Sequence, residues 1–141
     1  MAEPRSALYR EAILDHGRNP RNAGTLGHPD WSGSAANPLC GDELRLTLNV
    51  AQGRITDIRA AVRGCMISQA AASLMTLAVQ GRTLQEAQAL GQLFQSALQD
   101  GAELPPALES LLPLLEVKAH RSRVGCALLP WQALRDVREG G

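Results

Sequence analysis

The sequence contains 141 residues, of which 45% are hydrophobic and 20% are charged, and its formal net charge is zero. This length predicts a single domain, residues 1–141, with a core of its own, and the scattered charges argue against binding to nucleic acids. No apolar stretch approaches the roughly 20 residues that a membrane crossing needs, and the first residues carry no secretory or transit signal. We therefore expect a cytoplasmic globular protein whose partners are proteins or small molecules.

The first part of the chain predicts one helix followed by a long loop. Ser6 can cap a helix whose apolar residues repeat at helical spacing, and Gly17 and Pro20 end it. Residues 21–39 are rich in Gly, Asn, Pro and Ser, which indicates a loop with room for one short edge strand at 31–35.

The next part of the chain predicts a β-hairpin. Apolar and polar residues alternate strictly over residues 44–50, which is the period of a strand with one buried face. The alternation returns at residues 55–62, and Gly53 between the two segments can adopt the positive φ of a tight turn.

The remainder of the chain predicts helices. One apolar stripe runs over residues 67–78, and a second helix begins at a capping box of Thr83 and Glu86 and ends at Gly101. Beyond it we expect a Leu-rich segment that Pro113 divides into two short helical pieces, and then a last helix. The fold class that follows is α+β, with a small antiparallel sheet of two or three strands and helices packed on one face.

The three cysteines lie at predicted element ends. Cys40 precedes the first long strand, Cys65 lies where the second strand gives way to a helix, and Cys126 is expected at the start of the last helix. An odd number of cysteines without a secretory signal is a poor basis for a disulfide framework. A thiol at a helix N-terminus is favoured in its thiolate form, so metal binding or thiol chemistry remains.

Asp42 is a candidate fourth member of this group. Gly41 lets the backbone bend so that Cys40 and Asp42 can face one ion. Three thiolates and one carboxylate make a suitable tetrahedral set for zinc, and the carboxylate makes the site more exchangeable than an all-thiolate one. The alternative is that the cysteines are separate structural residues and that Asp42 caps a turn.

Three histidines and two arginines are further candidates for a role near this group. We favour surface or helix-packing roles for His16, His28 and His120, although each could replace the carboxylate as a ligand. Arg121 and Arg123 lie close to the last cysteine in sequence, where they either stabilise a thiolate or persulfide by charge or remain solvated.

These residues resemble the U-type iron-sulfur cluster assembly proteins, the group of IscU, SufU and the amino-terminal domain of NifU. The resemblance covers nearly the whole chain. It rests on Leu8-Tyr9, Asp15-His16, Asn19-Pro20-Arg21-Asn22, Asn37-Pro38, Cys40-Gly41-Asp42, Gly64-Cys65, Ile67-Ser68, Ala70, Ser73, Met75-Thr76, Cys126-Ala127 and Trp131.

Within this family the sequence is most similar to the SufU branch. The interval between Cys65 and Cys126 is long, as it is in that branch, and Arg123 matches an arginine that SufU-type proteins carry three residues before the cysteine. Gly125 stands where the IscU branch has a histidine and where SufU-type relatives usually have a lysine. Gly17 stands where the family commonly has an aromatic residue.

The resemblance implies a SufE/NifU-like fold and a zinc-dependent sulfurtransferase that takes persulfide sulfur from a SufS-like, pyridoxal-phosphate cysteine desulfurase. Our mechanistic hypothesis is that a partner side chain displaces Cys40, the sulfur acceptor, from zinc. Asp42, Cys65 and Cys126 then retain the metal, Cys126 is the alternative acceptor, and Arg123 supports the reaction.

Other functions use the same residues. A scaffold would build a [2Fe-2S] cluster on Cys40, Cys65 and Cys126 and pass it to apoproteins, since thiolates bind such clusters as readily as zinc. A binding module with a structural zinc is a third class. A thiol hydrolase is disfavoured because no histidine lies beside a cysteine in the sequence.

Overall fold

The computed structural model describes residues 4–140 of the chain, and the side chains of residues 7–140. The elements follow in the order α1 (Pro4–Arg18), β1 (Trp31–Asn37), β2 (Asp42–Ala51), β3 (Arg54–Arg63), α2 (Met66–Val79), α3 (Leu84–Asp100), a 3-10 segment (Pro106–Ala119), α4 (Arg121–Arg135) and β4 (Arg138–Glu139). The predicted α+β class is confirmed. None of the described helices is both long and apolar enough to span a bilayer.

The strands form one antiparallel sheet in the order β3-β2-β1-β4. In the register, Asn37 at the end of β1 lies opposite Asp42 at the beginning of β2, and Glu43 lies opposite Arg63 at the end of β3. The end of β1, the beginning of β2 and the end of β3 therefore meet at one edge of the sheet.

The hairpin of β2 and β3 forms as predicted, and the strand count is higher than expected. Gln52 and Gly53 both have positive φ, as a two-residue hairpin turn requires. The short edge strand expected at 31–35 extends to Asn37 and pairs with β2 along its whole length. β4 adds a fourth strand beside β1, and its two residues are too few to show a period in the sequence.

The core lies between the sheet and the helices. The alternating leucines of β2 are buried. α4 packs against β1 and β2, and α2 packs against β3. Burial of each large aliphatic side chain contributes roughly 1.5 to 3 kcal/mol. The side chains that are less than 2% exposed include Leu46, Leu48, Ile58, Met75, Phe94, Leu129 and Leu134.

A buried polar cluster ties the N-terminal segment to α2. Ser73 Oγ lies 2.7 Å from His16 Nδ1 and accepts a hydrogen bond from the backbone N–H of Arg21 at 2.9 Å. Asn22 Nδ2 donates to Thr76 Oγ1 at 3.1 Å. The polar residues that precede β1 therefore anchor the chain as it leaves α1, and this structural role accounts for His16.

Two departures from the predicted helix boundaries concern α1 and the 3-10 segment. α1 begins at Pro4, so Ser6 lies inside the helix instead of capping it, and its side chain falls outside the described ones. The capping box of Thr83 and Glu86 is confirmed. The 3-10 segment continues through Pro113, because the fixed φ of proline suits a 3-10 backbone, and the non-helical residue is Leu108.

Candidate metal centre

The sheet edge where three strand ends meet carries the candidate ligands. Cys40 lies in the turn between β1 and β2, and Asp42 is the first residue of β2. Cys65 follows β3 and is the N-cap of α2, as expected. Cys126 lies in the second turn of α4, which begins at Arg121.

The position of Cys126 corrects one expectation, because it does not lie at a helix start. α4 begins five residues earlier than the expected position, and Cys126 Sγ lies 3.6 Å from the carbonyl oxygen of Ser122 in the preceding turn. The sequence just before Cys126 contains a glycine and two arginines, a composition more typical of a loop than of the first turn of a helix. The thiol is therefore influenced by its buried surroundings instead of by free N–H groups of a helix end.

Three of the four predicted ligands converge. The ligand atoms of Cys40, Asp42 and Cys126 all lie within 4.8 Å of one another, and the two sulfur atoms are 3.3 Å apart. Sulfur atoms bound to one tetrahedral zinc, with Zn–S distances of about 2.3 Å, are about 3.8 Å apart. The donor types suit a metal ion such as zinc, and the two sulfur atoms lie about 0.5 Å closer together than in an occupied tetrahedral zinc site.

Cys65 adjoins this group through its backbone. Its N–H donates to Asp42 Oδ2 at 3.2 Å, and its Sγ lies 3.7 Å from Ser68 Oγ. Ser68 Oγ donates to the Cys65 carbonyl oxygen at 3.0 Å. Its thiol is outside the set of three ligand atoms within 4.8 Å, so its place as the fourth ligand stays a prediction.

Asp42 is 4% exposed and is held as a carboxylate. Burial acts to raise the pKa of Asp42, but hydrogen bonds from the Cys65 thiol and backbone N–H and from Ser68 outweigh it, so the pKa lies below its ordinary value. Gly64 makes room for this carboxylate, because a Cβ there would lie 2.6 Å from Asp42 Cγ and 2.5 Å from Ser68 Oγ.

Cys126 has the opposite electrostatic character. It is 2% exposed, and burial raises the pKa of its thiol, with further contributions from hydrogen bonds to Cys40 and Cys65. Without a metal this thiol is protonated at neutral pH. Metal binding therefore releases its proton.

The histidines do not join the group in the part of the chain that the structure describes. His16 is hydrogen-bonded to Ser73, while His28 and His120 are exposed. Arg121 and Arg123 are exposed and form no ion pair with a described carboxylate. Arg123 and His120 line a cavity of about 580 Å³ together with Met66, the residue after Cys65.

Asn37 is a residue of the site to which the sequence assigned no role. It is 7% exposed, and its Nδ2 lies 4.0 Å from Cys126 Sγ. Asparagine before a turn is a signal for side-chain hydrogen bonds to the following backbone, but the sequence contains no signal that joins position 37 to position 126.

Gly17 and Gly125, the two departures from the family pattern, both lie against a neighbouring side chain. A Cβ at Gly17 would overlap Met66 Sδ, and one at Gly125 would lie 2.6 Å from Asn37 Nδ2. Each glycine therefore makes room for a side chain that lies at, or next to, a candidate ligand.

Comparison with known proteins gives one consistent family. The model of the NifU-like N terminal domain matches residues 8–109. The chain is 36% identical over 129 residues to the zinc-dependent sulfurtransferase SufU of Bacillus subtilis, a match that covers 90% of the chain and 86% of that protein. It is also 36% identical over 131 residues to the iron-sulfur cluster assembly scaffold protein IscU of Streptococcus pyogenes, covering 92% and 81%.

A solved structure extends the similarity to three dimensions. The N-terminal part of a NifU-like protein from Brucella abortus superimposes with a TM-score of 0.82 at 25% identity, and the match covers 92% of this chain and 91% of that one. The sequence comparisons and the structural comparison therefore indicate the same family over almost the whole length of the chain.

Proposed function

Because this chain belongs to the family of the NifU-like N terminal domain, whose members serve in iron-sulfur cluster assembly, we propose that it is a zinc-dependent sulfurtransferase. It accepts persulfide sulfur from a pyridoxal-phosphate cysteine desulfurase and passes it on for cluster assembly. The observation that carries this proposal is the grouping of an exposed thiol, Cys40, with the buried Cys126 and Asp42 within 4.8 Å.

The residues that would hold the metal are Cys40, Asp42 and Cys126, with Cys65 as the fourth ligand. Zinc bound there would supply positive charge that keeps the thiols in their thiolate form at neutral pH. Asp42 is the exchangeable member by chemistry, since a carboxylate is a harder ligand than a thiolate. Cys40 is the exchangeable member by position, since its side chain is exposed.

Sulfur acceptance is assigned to Cys40. Its thiolate attacks the terminal sulfur of the partner's persulfide, a new S–S bond forms on Cys40, and the S–S bond of the donor breaks. The donor cysteine leaves as a thiolate with the bonding electron pair, so the step needs no external oxidant or reductant. The attack requires that both sulfur atoms meet, and an exposed thiol permits this.

Cys126 is the weaker candidate for acceptor because it is 2% exposed. An incoming persulfide cannot reach its sulfur without movement of the Cys40 turn, which lies against it at 3.3 Å. Arg123, exposed in the first turn of α4, is proposed to support the reaction by attracting the negative charge of the persulfide.

The second candidate function is a scaffold, and one comparison favours it: the match to the IscU scaffold protein covers as much of the chain as the match to SufU does. In this reading the cluster is cargo. The thiols of Cys40, Cys65 and Cys126 would hold a [2Fe-2S] cluster until an apoprotein accepts it.

The deciding experiment measures alanine production by a cognate cysteine desulfurase with cysteine and excess reductant, while the zinc content of the added protein is followed. The sulfurtransferase proposal predicts strong stimulation by the wild type with zinc retained. Cys40→Ala should abolish it, and Leu93→Ala, at an exposed site on α3, should not. In a separate reaction without reductant, which would otherwise reduce the persulfide, mass spectrometry should find the added sulfur atom on Cys40.

Two outcomes would contradict the proposal. Full stimulation by Cys40→Ala would remove the acceptor assignment. A wild-type protein that gives no stimulation, but under anaerobic conditions forms a stable [2Fe-2S] cluster and delivers it to an apoprotein, is a scaffold.

A further inference from the structure

The turn that carries Cys40 is closed on one residue, Asn37, the last residue of β1. The carbonyl oxygen of Asn37 accepts hydrogen bonds from the N–H groups of Cys40 at 3.3 Å and Gly41 at 2.8 Å. Its side-chain Oδ1 accepts one from the N–H of Leu39 at 3.1 Å. Three successive N–H groups therefore point at Asn37, and the path of the turn depends on that residue.

The same side chain reaches the other sulfur of the site. Nδ2 of Asn37 donates toward Cys126 Sγ over 4.0 Å, a long N–H···S contact between residues 89 positions apart. Asn37 is buried, with 7% of the residue exposed, so water does not easily replace the contacts of its side chain. One carboxamide therefore joins the Cys40 turn to α4.

The sequence of α4 is adapted to this carboxamide. Glycine is a poor helix former, and Gly125 lies inside α4 directly before Cys126. A Cβ at this position would lie 2.6 Å from Asn37 Nδ2 and 3.4 Å from its Cγ. The absence of a side chain at position 125 is what allows the amide to approach Cys126.

We propose that Asn37 is a positioning residue of the metal centre, which fixes the Cys40 turn against Cys126 and places an amide donor on the sulfur of Cys126 alone. The inference deepens the proposed function and rests on it only for its consequence in sulfur transfer. A hydrogen bond from an amide disperses the negative charge of a thiolate and makes it a weaker nucleophile.

The two thiolates become unequal as a result. Cys40 Sγ lies 3.3 Å from Cys126 Sγ and 3.9 Å from the carbonyl oxygen of Asn37. A carbonyl has no proton to donate to a thiolate, so the amide N–H of Asn37 approaches the sulfur of Cys126 and not that of Cys40. Cys126 is thereby kept as a fixed ligand, and the sulfur of Cys40 keeps its reactivity. Asn37 takes no part in making or breaking bonds in this scheme, and it acts through the two cysteines.

The test uses metal binding and spectroscopy, which do not depend on sulfur transfer. Asn37→Ala should lower the zinc affinity, measured by competition with a chromophoric chelator, by about 10- to 100-fold, the usual cost of losing an outer-shell partner. In the cobalt-substituted protein, the thiolate-to-cobalt absorption bands should move to longer wavelength, because the Cys126 thiolate has lost a hydrogen bond.

Two further variants make the result specific. Asn49→Ala is the matched control, since Asn49 also lies in a strand and accepts a backbone hydrogen bond through its side chain, from Asp30 at 3.1 Å, and it should keep wild-type affinity and bands. Gly125→Ala leaves Asn37 intact but displaces its amide, and it should reproduce both changes even if Asn37→Ala fails to fold.

Wild-type zinc affinity and wild-type cobalt bands in Gly125→Ala would overturn the proposal, as would equal losses in Asn49→Ala. A wild-type protein that shows these metal effects but does not stimulate a desulfurase leaves the positioning role in place and removes only the sulfurtransferase function.

Discussion

The sulfur atoms of Cys40 and Cys126 lie 3.3 Å apart, although 86 positions separate the two residues in the sequence. Cys40 is exposed and Cys126 is buried. The pair thus combines a thiol that a partner can reach with a thiol that the core holds in place. This difference predicts different consequences when either cysteine is replaced.

We expect Cys126→Ser to weaken zinc binding more than Cys40→Ser does. Loss of even an outer-shell partner lowers metal affinity by about tenfold or more, and Cys126 is proposed as the fixed ligand, with its sulfur held near Asn37 and Asp42. Chelator competition gives both affinities directly. Equal losses in the two variants would show that the buried and exposed thiols contribute alike.

Zinc should stabilise the fold, because the three converging ligand atoms come from segments that are brought together only on folding. A ligand that binds the native state alone adds about 4 kcal/mol at a concentration 1,000 times its Kd. Thermal unfolding with zinc and with EDTA measures this gain. Asp42→Ala should reduce the zinc-dependent rise in Tm, whereas Asp100→Ala, an exposed site at the end of α3, should leave it unchanged.

Gly64→Ala should disturb the site although Gly64 is not itself a candidate ligand. The new methyl group would press on Asp42 Cγ at 2.6 Å and on Ser68 Oγ at 2.5 Å, and overpacking of this kind typically costs about 1 to 3 kcal/mol. Gly27→Ala is the control, since a Cβ there meets nothing within 4 Å. Chemical denaturation and zinc titration of both variants test the prediction, which fails if Gly64→Ala behaves like Gly27→Ala.

Protonation of His16 should lower stability at mildly acid pH. Burial, with help from the charge of Arg21, holds the pKa of His16 below its ordinary value of 6.5. The unfolded chain therefore binds the proton more readily, and the free energy of unfolding decreases as the pH falls through about 6.5 toward the folded pKa. Above about pH 6.5, the ordinary pKa that His16 has in the unfolded chain, the stability contributed by the neutral imidazole is fully present.

Denaturation curves between pH 5 and pH 8, at a constant level of metal, give this dependence. His16→Gln should flatten it, while His28→Gln, an exposed histidine, should preserve it. A wild-type slope in His16→Gln would assign the acid sensitivity to another group.

The candidate site was predictable from the sequence to the extent that it depends on strand ends. Alternation located β2 and β3, and the hairpin between them necessarily brings the residues before β2 close to those after β3. Cys40, Asp42 and Cys65 could therefore be expected at one sheet edge. The approach of α4 depends on tertiary packing, so the position of Cys126 within its helix and its contact with Asn37 could not be read from local pattern.

The remaining differences have similar causes. β1 is longer than its Gly-, Ser- and Ala-rich sequence suggested, because it pairs with β2 along its whole length, as far as Asn37 opposite Asp42. β4 has two residues, too few to show a strand pattern in the sequence, and it is a strand because it pairs with β1. In each case a long-range contact decides the structure, and local propensity contributes little.

The placement of Cys126 on α4 also sets an order of events during synthesis. A nascent chain that has emerged as far as α2 already contains Cys40, Asp42 and Cys65, and it can pair β2 with β3. It lacks the third member of the converging group, which is added only when α4 has emerged and packed against the sheet. If the proposed ion binds this group, all of its ligands come together only after that last helix has docked, and we expect a ribosome-bound intermediate to exchange metal freely.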